Sequence, residues 1–253
     1  MKISKIFKGF LVIVAASFIW QACATFNVIN TSLLPSPKQI IIALVKLFQS
    51  TEIYNDILSS LWRVTIGFVL AAFLGILVGF LFGSFKNVKM YFNPVLEILR
   101  PIPPIAFIPI AILWFGIGNG PAYFLVCFGA FFPIFTSTYF GVVNVKPIHT
   151  NAALCLGATR KMLIFDVILP SAAPYIVAGL KTGIGVAWFC VIAAELVGAQ
   201  SGLGYMIQLN RLTLQSANVF AGMVIIGVIG YMMTKMMAII QNKIVPWSSK
   251  LTA

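Results

Sequence analysis

Residues 144–170 read NVKPIHTNAALCLGATRKMLIFDVILP. This polar stretch interrupts an otherwise hydrophobic chain. Two apolar spans precede it closely and two follow it, which makes it a loop between membrane helices. It holds a short helix-competent run, a glycine at Gly157 and a Leu-Pro pair at Leu169 and Pro170. The proline is expected to stop the loop helix and begin the turn into the next span. A loop of this length with structure of its own is a gripping surface.

Around this loop the composition points to lipid. The chain has 253 residues, of which 60% are apolar and 9% charged. Soluble domains carry about 25% charged residues. Five acidic side chains cannot solvate a globule of this size, so the bulk belongs in a bilayer. The net charge of +12 would suggest nucleic acid in a soluble protein. Here it reflects Lys and Arg in short loops, where they set orientation, and nucleic acid is set aside as a partner.

Cys23, Cys127, Cys155 and Cys190 stand at no metal or redox spacing. Cys23, Cys127 and Cys190 fall in apolar spans and read as small hydrophobes. His149 is the sole histidine, so neither a histidine metal cage nor a Ser-His triad can be built from this chain. An embedded enzyme would need a catalytic cluster that this inventory does not supply.

A run of about 20 apolar residues crosses the hydrocarbon core. Six such spans are predicted, at about 7–26, 60–83, 97–116, 121–143, 174–197 and 217–239. No period-2 alternation suggests a barrel, so the expectation is an all-α polytopic membrane protein forming one domain over 1–253. The first span follows Lys2, Lys5 and Lys8 and is read as an uncleaved helix. Six spans put both termini on one face. Lys86, Lys89, Lys146, Arg160, Lys161, Lys243 and Lys250 share that face with the N-terminal lysines. Lys38, Lys46 and Arg211 lie opposite, offset by Glu52 and Asp56, with Arg63 near the rim. The excess places the termini and the 144–170 loop in the cytoplasm. Segment 35–58 is too interrupted to span and reads as an external helix near the interface.

Gly67, Ala71, Gly75, Gly79 and Gly83 recur every four residues on the second span and predict close approach of another helix. Pro101, Pro103, Pro104 and Pro109 force the third span off a regular path. Residues 100–109 are therefore expected against other helices or along an aqueous route. Glu97 and Arg100, spaced i,i+3, suggest a local ion pair. Glu195 lies late in the fifth span. An acid at that depth faces either a partner or a cavity, because exposing it to lipid costs several kcal/mol; a substrate route, a structural ion pair and a side chain already at the outer interface all remain open.

Asn151-Ala152-Ala153, Gly157-Ala158, Phe165 and Leu169-Pro170 resemble the EAA loop of ABC importer permeases. The family's usual Glu is Asn151 here, which puts a salt bridge from that position in doubt. Leu34-Pro-Ser-Pro37, Arg100-Pro-Ile-Pro-Pro104, Ile112-Leu-Trp-Phe-Gly116, Ala193-Ala-Glu195 and Ser201-Gly-Leu-Gly204 resemble the nitrate/sulfonate/taurine-type branch, and the likeness covers essentially the whole chain.

The resemblance implies a MetI-like permease fold whose cytoplasmic coupling helix docks on an ATPase. Asn151, Ala152, Ala153, Leu156, Gly157 and Ala158 would form the docking element, small enough for close approach. Phe165, Leu169 and Pro170 would tie it back to the bundle. Pro103, Pro104, Glu195, Gly202 and Gly204 would line the translocation path or gate it. The implied assembly is a permease homodimer, a cytoplasmic ATPase dimer and an extracytoplasmic solute-binding protein, in a bacterial inner or plasma membrane. This chain has no Gly-x4-Gly-Lys-Ser/Thr loop, so no cofactor is expected on it; ATP and Mg would sit on the ATPase. The expected cargo is a sulfonate-, taurine- or nitrate-like anion or a vitamin precursor. The competing class, a secondary transporter or channel working without an ATPase, should show paired broken helices in inverted repeats; the sequence shows one broken helix.

Overall fold

The computed structural model describes residues 2–26 and 28–247, without the side chains of 2–10, 13, 86–89, 92 and 93. The orienting side chains of Lys2, Lys5, Lys8, Lys86 and Lys89, and all of Lys250, thus lie outside the described residues. Every element among the described residues is helical: α1 (Lys2–Thr25), α2 (Pro37–Gln49), α3 (Glu52–Ser84), α4 (Lys86–Leu99), a 3₁₀ turn (Pro104–Phe107), α5 (Ile108–Phe115), α6 (Asn119–Val143), α7 (Pro147–Cys155), a one-turn α8 (Arg160–Met162), a π-helical turn (Leu163–Ile168), α9 (Leu169–Gly198), α10 (Leu203–Leu212) and α11 (Ser216–Ile244).

Among the described residues, four helices are long and apolar enough to cross a membrane: α3, α6, the continuous helix Arg160–Gly198 and α11. Two apolar helical stretches, Val14–Thr25 and Pro104–Phe115, are shorter. The expected third span, 97–116, is not one helix. Its chain leaves the α-helix after Leu99, turns through 100–103 and re-enters through a 3₁₀ turn. Pro101, Pro103 and Pro104 each lack an N–H, so a regular ladder cannot pass through them.

The core is a three-helix stack of α3, α6 and α9. The small-residue stripe of α3 faces α6. A Cβ added at Gly67 would stand 2.6 Å from Val126, and one at Gly83 2.6 Å from Val142. Ala71, between them, is fully buried. Gly183 of α9 lies against Ile134 of α6, the same side chain that Gly75 of α3 meets. Close backbone approach of this kind is what packs helices where lipid removes the hydrophobic drive between them. It holds α6 against two partners.

Segment 35–58 divides in two. Its first half is α2, opened by a reciprocal cap: the Ser36 hydroxyl accepts from Gln39 N at 3.3 Å and Gln39 Oε1 accepts from Ser36 N at 2.8 Å. Ile40 and Ala43 of α2 pack on Ala221 of α11. Its second half is the start of α3, which begins at Glu52, eight residues before the predicted span. No Gly or Pro separates Glu52 from Gly67, and the polar side chains at this end find buried partners, as described below.

Candidate functional site

The 144–170 loop folds as a helix, a turn and a second helix. Lys146 stands in extended conformation and Pro147 opens α7, where its missing N–H is no loss. At the other end the Gly157 N–H donates to Leu154 O at 3.0 Å and the Ala158 N–H to Ala153 O at 3.0 Å. This paired closure requires a left-handed residue, and Gly157 takes φ +81°. An added Cβ there would meet nothing within 4 Å. Gly157 is therefore needed for its backbone; it stands in open space. Thr159 then caps the next helix, its hydroxyl accepting from Met162 N at 3.4 Å.

From Arg160 the chain runs helical to Gly198. The Leu169-Pro170 stop expected from sequence does not occur. Proline cannot donate and its ring presses on the carbonyl four residues back. The wider π turn over 163–168 sits where that clash would fall, and the helix passes through Pro170. The second helix of the loop is thus joined to the fifth span as one continuous rod.

Along the loop, Asn151, Ala152, Leu156 and Gly157 are exposed, and Ala153 and Ala158 are half-buried. Leu156, at 89% exposure, is the barest large apolar side chain in the protein's described residues. Phe165 is not the tie to the bundle expected of it; it is 63% exposed. Ile168 and Leu169 pack on Val142, Ala172 and Ile176 in its place.

At the opposite end of α9 a polar lattice is sealed inside the bundle. Glu195 is 1% exposed, Arg63 4% and Ser60 0%. Arg63 Nη1 lies 2.8 Å from Glu195 Oε1. The Ser60 hydroxyl is 2.8 Å from both carboxylate oxygens and accepts from Leu203 N at 2.9 Å. Gly204 N donates to Glu195 Oε2 at 2.9 Å. The rest of the guanidinium is spent on Asn119 Oδ1 (2.7 Å), Ser201 O (2.6 Å) and Ser201 Oγ (2.7 Å). Asp56 accepts from Gly202 N at 2.7 Å.

Of the readings left open for Glu195, the ion pair is the one the structure shows, and the side chain is buried rather than at an interface. Arg63 is a buried partner, not the rim residue expected from sequence. Gly202 and Gly204 belong to the same lattice. Gly202 has φ +108° and a Cβ there would fall on the Glu195 carboxylate; one at Gly204 would stand 2.7 Å from Glu195 Cβ. None of these three is among the residues lining the cleft where Pro104 lies. Pro104 does face that cleft, of about 400 Å³, between the proline turn, α6 and α9, and Pro103 is exposed beside it. The Glu97–Arg100 pair expected from spacing is not among the described ion pairs; both residues line a smaller cleft of about 220 Å³.

Sequence reasoning missed Ser60, Arg63, Asp56 and Ser201. A signal was present: Asp56, Ser60 and Arg63 stand at i, i+4 and i+7, one polar stripe on an apolar helix. Such a stripe in a spanning helix has to meet something polar on a neighbour.

The family described as "Binding-protein-dependent transport system inner membrane component" matches residues 71–250. A putative aliphatic sulfonates transport permease protein, SsuC, of Bacillus subtilis is 35% identical over 240 residues, 95% of this chain and 87% of that protein. The taurine transport system permease protein TauC of Escherichia coli is 33% identical over 234 residues, 90% of this chain and 85% of its own. A solved structure of the MetNI methionine ABC transporter in an inward-facing conformation superposes with a TM-score of 0.61 at 19% identity. The match covers 73% of this chain and 94% of that one, and speaks for the fold alone. Breadth of match, helical architecture and loop together show that this chain belongs to the binding-protein-dependent transport system inner membrane component family and is the permease subunit of an ABC importer.

Proposed function

We infer that this permease works as a pair of identical copies, with the 144–170 loop and both termini on the cytoplasmic side. A cytoplasmic ATPase dimer grips α7 and the Leu156–Ala158 turn of each copy. A binding protein outside the cell delivers a small oxyanion of the sulfonate or taurine kind. The cargo rests on the transport systems named for the two relatives. The six-span count rests on α1 and the broken α4–α5 segment completing the four long helices.

The observation that carries the coupling reading is the continuity of the loop with α9. An exposed helix, α7, ends on a left-handed glycine, and one turn later a helix starts that reaches the Glu195 lattice without a break. A push on α7 therefore has a stiff path to the far end of the bundle. Switching of this kind needs a rigid element that two ligands bias differently. The buried Arg63–Glu195 lattice supplies a fixed far end for the rod.

The test is reconstitution of the permease with its ATPase and binding protein in vesicles, with uptake of labelled taurine and ethanesulfonate measured with and without ATP. Uptake that requires hydrolysis is expected. Uptake by the permease alone, without nucleotide, would identify a secondary transporter or channel.

A further inference from the structure

Arg63 and Arg100 both sit in or beside apolar helices, and their surroundings differ. Arg63 is saturated by Asn119, Glu195 and Ser201, as described. Arg100 is exposed, and among the described residues no hydrogen bond or ion pair occupies its guanidinium. It stands at the end of α4, on the turn that Pro101, Pro103 and Pro104 pull out of helical geometry. That turn aims it into the 400 Å³ cleft between α6 and α9. The cleft's volume is within the range of about 300–1,000 Å³ typical of small-ligand sites.

The other walls of the cleft suit an anion. Thr136 and Ser137 come from α6 and Thr182 from α9. The Thr182 hydroxyl donates to Ala178 O at 3.1 Å. Among the described residues no carboxylate lines this cleft; Glu97 lines the smaller neighbouring one, which shares Arg100, Phe132 and Thr136 with it. Pro133 also contributes to the wall. Having no N–H, it leaves the carbonyl of Gly129, four residues back, without its helical donor. A freed carbonyl in a membrane helix needs water or a protein donor, which favours a hydrated cleft. Phe132 and Pro104 close the apolar side.

We propose that Arg100, with the hydroxyls of Thr136 and Ser137, forms a transient binding site for small oxyanions on the route through the permease. Guanidinium is the side chain best matched to an oxyanion, since its planar donors engage two oxygens at once. The site lies between the Glu195 lattice and the 144–170 loop along α6 and α9, where a solute passing from one end to the other would be held. The identity of the transported oxyanion rests on the function proposed above; the anion preference of the cleft does not.

The experiment separates the two. In the assembled complex, with Cys23, Cys127, Cys155 and Cys190 replaced by serine, Thr182→Cys places a thiol in the cleft. Its reaction rate is measured with an anionic methanethiosulfonate bearing a sulfonate and with a cationic one bearing a quaternary ammonium. The anionic reagent should be favoured by at least about tenfold after correction for free-thiol rates, the lower end of what field focusing in a charged cleft gives. Arg100→Gln should abolish that preference and Arg100→Lys should keep much of it. Ethanesulfonate should protect the thiol, equally in vesicles with and without phosphatidylglycerol. No anionic preference, or a preference unchanged by Arg100→Gln, overturns the proposal. Loss of ethanesulfonate protection when phosphatidylglycerol is present also overturns it, by assigning Arg100 to a lipid headgroup. If the cleft behaves as expected while the complex imports neither taurine nor ethanesulfonate with ATP, the cargo proposed above falls and the oxyanion site stands.

Discussion

Arg63 and Glu195 are 132 residues apart in the chain and 2.8 Å apart in the fold. Each is buried, and each has its remaining hydrogen-bonding capacity met by Ser60, Asn119, Ser201 or the backbone of Gly204. The pair joins the start of α3 to the end of α9 and the adjoining turn into α10, and through Asn119 to the start of α6. Burying two charges is costly, and such a pair persists where every partner is present at once. Removing one member strands the other.

Glu195→Gln should therefore destabilise the folded permease by about 3–5 kcal/mol, the usual cost of leaving a buried charge unpaired. Arg63→Met should cost a similar amount. The double variant should cost less than the sum, because neither charge is then stranded. Thermal stability in detergent, followed by the monodisperse fraction, measures all three. Additive losses would mean that the two side chains do not act as a pair.

Gly202→Ala should fail where Gly185→Ala succeeds. At Gly202 a methyl group would fall on the Glu195 carboxylate and the backbone has φ +108°; at Gly185 it would meet nothing within 4 Å. The expected reading is a marked drop in folded yield for the first and a normal yield for the second. Equal yields would show that the Gly202 turn is not held against Glu195.

Gly157 separates backbone shape from surface contact. Its φ of +81° costs an ordinary L-residue about 1–2 kcal/mol, and asparagine tolerates it best. Gly157→Val should lose ATP-driven uptake while still inserting in the membrane. Gly157→Asn should keep the turn. If the asparagine variant inserts and yet loses uptake, the ATPase packs directly on this position as well.

Cys155 ends the exposed face of α7 and is itself exposed. A membrane-impermeant maleimide should label it in inside-out vesicles stripped of ATPase, and the bound ATPase should shield it. Equal labelling with and without the ATPase would place the docking surface elsewhere. Labelling from the extracellular side would reverse the orientation.

How far the sequence carried the fold depends on the range over which each cause acts. The spans at 60–83, 121–143 and 217–239 were visible because about 20 consecutive apolar residues have one stable home. The α3 glycine stripe announced a close helix contact, but its partner, α6, was not named by anything in α3. The start of α3 was placed eight residues late because Glu52, Asn55 and Asp56 look like a loop until Gly202 is brought to Asp56. Pro101 to Pro104 broke the third span as a local rule predicts, whereas Pro170, read by the same rule, did not stop the helix. There the π turn over 163–168 makes room for the ring, and the packing of Ile168 and Leu169 on Val142 and Ala172 keeps the rod in place.

By itself, then, the sequence determined what each short stretch can do in lipid and at its edge. It set the helical class, the polar loop between spans and the resemblance carried by 151–170. Those are matters of local transfer free energy and backbone sterics, and they travel with the residues. The tertiary structure decided which distant groups meet: Arg63 with Glu195, Gly67 with Val126, Arg100 with the hydroxyl-lined cleft. A charge's partner, and hence its role, depends on helices packed from opposite ends of the chain, and no window along the sequence contains both.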